Sequence, residues 1–123
     1  MNELLAELFS EQTEKFFDLK VFSLTTADGF PIHCEVRQDN EVETERIAAV
    51  SSSLISLSNA AARQMIGKPL ESTTIETTDG NMFLCNTTFK EKKCVLCIVT
   101  GKKENIGHAR YFTQRIAQII SKQ

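Results

Sequence analysis

The 123-residue chain predicts an α/β domain with the order α-β-β-α-β-β-β-α, its five-stranded antiparallel sheet covered by helices on both faces. Three observations carry this. Apolar residues recur at helical spacing in three segments, near each end of the chain and in its middle. Between those segments the spacing switches to the two-residue alternation of strands, first for two strands and then for three. One of them, Cys94 to Val99, is apolar on both faces, which places it in the centre of a sheet buried from both sides.

The elements follow in order. Leu4, Leu5, Leu8, Phe9 and Phe16 share one side of a helical wheel and Glu3, Glu7, Glu11 and Glu14 the other, so the first segment is an amphipathic helix with a solvated acidic face. Leu19 to Thr26 and Phe30 to Val36 flank the turn signal Asp28-Gly29 and form a hairpin. Asn40 with Glu43 resembles a capping box, and Gly67 followed by Pro69 is a stop, so a second helix is expected over Glu41 to Ile66. Leu70 to Thr78, Asn81 to Phe89 and Cys94 to Thr100 form a meander with turns at Asp79-Gly80 and Lys90 to Lys93. Ile106, Ala109, Thr113, Ile116, Ala117 and Ile120 form the stripe of a third helix, with Asn105 as its cap. No linker or repeat divides the chain, and one domain over 1–123 is the expectation.

The middle helix is unusual. From Ile47 to Ala62 it holds no charged residue, yet Ser51, Ser52, Ser53, Ser56, Ser58 and Asn59 interrupt its apolar character. Ile47, Val50, Leu54, Leu57, Ala61 and Met65 form the stripe expected to face the core, and Ala48, Ile55, Ala62 and Ile66 a weaker second one. The remaining arc is small and neutral where a surface helix normally carries Lys and Glu. Either this is the central helix of a compact monomer, or one face is kept for another protein surface.

Ser72 to Thr78 combines high β-propensity with almost no apolar side chain, which suits a sheet edge. It has neither Pro nor Lys to repel a neighbouring strand. Pairing with the same strand of a second copy about a twofold axis would satisfy its free backbone groups.

Several chemistries are disfavoured. A net charge of −2 gives no reason to expect nucleic acid. No run approaches the roughly 18 apolar residues that span a bilayer, and Glu3 and Glu7 stand where a signal peptide would carry cations, so a cytoplasmic location is expected. Cys94 and Cys97 have metal-site spacing, but residues three apart on a strand point to opposite faces, so both should be plain core. No phosphate loop, metal cluster or nucleophile–base pattern is evident, and neither enzyme activity nor a cofactor is expected.

The Thr26-Ala27-Asp28-Gly29-Phe30-Pro31-Ile32 turn, its echo at Thr78-Asp79-Gly80-Asn81-Met82, the Ala/Ser/Leu-rich middle helix and the element order resemble the Roadblock/dynein light-chain family along almost the whole chain. That resemblance implies a profilin-like sandwich that dimerises by joining third strands into one sheet with second helices side by side. It implies interface positions at Thr73, Ile75 and Thr77 on the strand and at Ser52, Ile55, Asn59 and Ala62 on the helix. It also implies an MglB-like, non-enzymatic platform for a Ras-like small GTPase, which supplies the hydrolytic chemistry itself. Two alternatives stand beside it. One is a small-ligand sensor with Phe22, Phe83, Phe89 and Phe112 around a pocket, and the other a thiol-dependent enzyme using Cys34 or Cys97.

Overall fold

The computed structural model describes residues 3–37 and 41–123. Helix α1 (Glu3–Thr13) leads into the hairpin of β1 (Leu19–Thr26) and β2 (Pro31–Val36). Helix α2 (Thr44–Ala61) ends in a π-helical turn, Ala62–Ile66. The meander of β3 (Thr73–Glu76), β4 (Gly80–Phe89) and β5 (Lys92–Gly101) follows, and α3 (Ile106–Ser121) closes the fold. All pairings are antiparallel, in the order β2-β1-β5-β4-β3, so the predicted order of elements and the central place of β5 are both found.

The sheet separates two helical layers. On one face α1 and α3 contribute Leu5, Leu8, Phe9, Ala109, Ile116 and Ile120 to a core with Phe22, Leu24, Phe83, Leu96 and Ile98. The Phe9 and Phe22 rings lie 4.0 Å apart there, and full burial of each such side chain contributes roughly 1.5–3 kcal/mol. On the other face α2 seats Ile55 against Leu84, Val95 and Cys97. Alternation along β5 sends Cys94 to the first core and Cys97 to the second, so the two thiols do not converge.

Local signals explain most boundaries. Gly29 takes φ +99° in the β1–β2 turn, where Thr26 Oγ1 donates to Asp28 Oδ1 and accepts from the Phe30 amide. Asn105 Oδ1 accepts from the His108 amide at 2.9 Å and starts α3. Gly67, at φ +77°, closes the π turn by donating to the Ala62 carbonyl. Two expectations change. The second helix begins at Thr44 and not at Glu41, and Glu43 precedes it with no side-chain cap bond; Asn40, the other half of the expected capping box, lies outside the described residues. The third strand is four residues long, shorter than Leu70 to Thr78, and at its end Thr77 enters the turn by bonding Gly80.

The largest correction concerns which side of α2 meets the sheet. Ile47, Ala48, Ser51, Ile55 and Ala62 are buried, so the buried side follows mainly the weaker of the two expected stripes. Of the stripe expected to face the core, Val50 is 42%, Leu57 69% and Met65 83% exposed. At 100° per residue this is a rotation of roughly a quarter turn. Ala48, Ser51 and Ala62 are small enough to bring the helix close to the strands. Among the described residues no helix is long and apolar enough to cross a membrane.

Candidate interaction surface

The outer edge of β3 is open. Thr73, Thr74, Ile75 and Glu76 pair with Leu84, Phe83, Met82 and Asn81 of β4, and no strand lies on the other side among the described residues. Alternation puts Thr73 and Ile75 on the α2 side of the sheet with Leu84 and Met82. Ser72, just before the strand, is held by Gln114 Nε2 of α3 at 3.1 Å, so the edge is fixed in place before any partner arrives.

On the same side of the sheet the apolar stripe of α2 lies uncovered. Leu54, Leu70, Met82 and Val99 are only partly buried around the small core of this face. Val42, Val50, Leu57, Met65 and Ile66 continue outward from it. A groove of about 230 Å³ opens between α2 and the strands, lined by Val21, Ile47, Val50, Met82, Cys97 and Val99, with Val42 and Arg46 at its side. Large exposed apolar patches are found at protein, membrane and ligand contact sites alike.

The seven residues implied as interface positions divide. Thr73 and Ile75 lie on the open edge. Thr77 does not, since its hydroxyl caps the β3–β4 turn, donating to the Gly80 carbonyl at 2.6 Å and accepting from the Asp79 and Gly80 amides. Ile55 and Ala62 are 3% and 9% exposed and pack inward. Ser52 and Asn59 are half-buried and engaged within the chain: Ser52 Oγ donates to Ala27 O at 2.6 Å, and Asn59 exchanges amide bonds with Asn86 of β4. These two side chains fasten α2 to the β1–β2 turn and to the sheet. Val50, Leu57 and Met65 are the outward residues instead, and the sequence had marked them as one stripe while turning it toward the core.

Burial pushes the Cys97 and Cys85 thiols up to about 12, and burial also raises Cys34, against a Thr44 hydrogen bond that lowers it. Thiols held protonated are poor nucleophiles and poor metal ligands. Phe22, Phe83 and Phe89 are buried in the α1/α3 core with Phe112 packed against it, so those rings fill the space a sensor pocket would need. Among the described residues no group of three or more His, Cys, Asp or Glu is placed to hold a metal ion.

The Roadblock/LC7 domain model matches residues 6–100. No curated protein sequence matches significantly. Among solved structures, an MglB with tetrameric arrangement superposes with a TM-score of 0.81 at 13% identity, over 98% of this chain and 87% of that one. A Roadblock/LC7 domain from Streptomyces avermitilis superposes at 0.77 with 18% identity, over 94% and 93%. Profilin II from Acanthamoeba castellanii superposes at 0.53 with 13% identity, over 84% and 85%. At these identities the structures share the fold, which is the profilin-like sandwich.

Proposed function

Because the chain belongs to the Roadblock/LC7 domain family, we propose that it is a non-catalytic homodimer that binds a Ras-like small GTPase and regulates or scaffolds it. The observation that carries this reading is the open β3 edge on the same side of the sheet as the uncovered apolar stripe of α2. Antiparallel pairing of two β3 strands about a twofold axis joins the sheets and sets both α2 helices on the same side. Val50, Leu57 and Met65 of each copy then cover one another, with Thr73 and Ile75 near the axis. Burying such a stripe removes the apolar surface that a lone chain would leave in water.

The composite of two α2 helices and the joined sheet is the platform for the GTPase. Its neutral, small-residue arc, with Ser53, Ser56 and Ala60 exposed, lets another backbone approach closely. The partner supplies nucleotide, metal and hydrolytic groups, while the platform acts by holding the partner's mobile switch segments in one arrangement.

Light scattering at micromolar concentration tests the first half: the wild type gives twice the chain mass, and the pair Leu57→Glu with Met65→Glu gives the single-chain mass with an unchanged circular dichroism spectrum. A single-chain mass for the wild type overturns the dimer. Retention of a Ras-like GTPase by the immobilised chain, differing between GDP and a GTP analogue, tests the second half. Equal retention of both nucleotide states, or of neither, overturns it.

A further inference from the structure

On the face of the sheet away from α2, helices α1 and α3 carry charge of opposite sign. Glu3, Glu7 and Glu11 are exposed on α1 with Glu14 just beyond its end, and the helix itself contains no Lys or Arg. His108, Arg110 and Arg115 are exposed on α3 with Lys122 at its end, and Ile106–Ser121 contains no Asp or Glu. Among the described residues none of Glu3, Glu7, Glu11, Arg110 and Arg115 forms an ion pair within the chain.

Glu3 at the start of α1 and Lys122 at the end of α3 suit their helix dipoles, but the charges between them do not. Glu3, Glu7 and Glu11 follow each other at four-residue spacing, where like charges repel. Glu11 stands in the last turn of α1, the end that favours cations, and that turn holds no basic residue. Conversely the first turn of α3 holds no acid and carries His108, with Arg110 next. Solubility alone does not require this segregation, since interspersed signs solvate a surface with less repulsion. The same face exposes Leu4 at 43% and Tyr111 at 58%, and Phe17 at 78% in the loop after α1. Aromatic residues and Arg are enriched in the buried centres of protein interfaces. Both helices pack on one core, and the Phe16 ring, in the loop after α1, lies 6.1 Å from that of Phe112 midway along α3, with Lys15 Nζ 5.9 Å from the same ring, so the acidic and basic rows share one face of the sheet.

We propose that this α1/α3 face is a second self-association surface, whose partner is the same face of another copy of the chain. A twofold axis running between the helices lays the acidic α1 of each copy against the basic α3 of the other, so every row meets its complement twice. The surface lies on the opposite side of the sheet from α2 and does not depend on the β3–α2 dimer. With that dimer it builds a higher assembly; without it, it builds a pair.

Sedimentation of the full chain at roughly 10 mM salt, where charges act over about 30 Å, and at roughly 1 M, where they act over about 3 Å, tests this. The expected mass at low salt is twice that at high salt. Glu7→Lys with Glu11→Lys removes the doubling, and so does Arg110→Glu with Arg115→Glu. An equimolar mixture of the two variants recovers it, as does the fourfold variant in which both rows are reversed. Equal masses at both salts, or a mixture that stays at the high-salt mass, overturns the proposal. The readout is the doubling and not the absolute mass, so a single-chain mass at high salt refutes the β3–α2 dimer while leaving this surface to be judged separately.

Discussion

On the α1/α3 side of the sheet, sixteen described residues pack into one core, including Phe9, Phe16, Phe22, Phe83 and Phe89. On the α2 side the corresponding cluster has four, Ile55, Leu84, Val95 and Cys97, with Leu54, Leu70, Met82 and Val99 half-covered around them. Buried polar atoms without a partner occur on both sides, on Gln12, Asn81 and Thr100 on the first and on Ser23, Ser51 and Thr73 on the second. Thr113 Oγ1 donates to Ala109 O and Thr87 Oγ1 to Ala117 O on the first side. Under α2, the buried Ser23 and Ser51 hydroxyls have no conventional partner and lie against the Cys97 thiol, a weak acceptor. One face is therefore closed by its own chain, and the other carries apolar groups that its own chain does not cover. The α2 side can leave apolar groups uncovered because the α1/α3 side supplies most of the core.

The difference can be measured in stability. Phe22→Ala, which opens a cavity in the larger core, is expected to cost about 3–5 kcal/mol in urea unfolding. Ile55→Ala should cost about 2 kcal/mol, near the low end for such truncations, because α2 can settle toward the sheet. Equal costs would mean that the two faces are packed alike.

Alkaline pH probes both faces at once, because Cys85 lies in the first core and Cys97 in the second. Each thiol is raised by burial from 9.0 to about 12. Below 9 both folded and unfolded chains keep the proton. Above it the unfolded chain releases protons that the folded chain retains, so stability falls as pH climbs from 9 toward 12. Cys97→Ala and Cys85→Ala should each flatten that fall in part, read from unfolding midpoints across the range. A midpoint indifferent to pH there would show that the thiols are not buried. Smallest is Ser51→Ala, which removes an unsatisfied hydroxyl and should be neutral or stabilising by up to about 1 kcal/mol. A loss above that value would reveal a bond to Ser51 of real strength.

Much of this architecture follows from short-range patterns. Asp28-Gly29 produced its hairpin, Asn105 its cap and Gly67 its stop, since each acts through bonds within a few residues. The two-sided apolar run at Cys94 to Val99 located the central strand, because only burial from both sides suits it. The site was harder. Thr73 and Ile75 fall on the open edge as expected, but Thr77 was drawn into its turn and Ile55 and Ala62 into the chain's own core. A helical wheel orders residues around an axis without saying which direction the sheet lies in. That direction was set by fit: a side built from Ala48, Ser51, Ile55 and Ala62 lies closer to the strands than one built from Leu57 and Met65. The sequence by itself determined the elements, their order and the central strand, since periodicity and turn chemistry are local. Tertiary structure alone decided which stripe of α2 stays outward and that acidic α1 shares a face of the sheet with basic α3, because both depend on how distant segments share a single sheet.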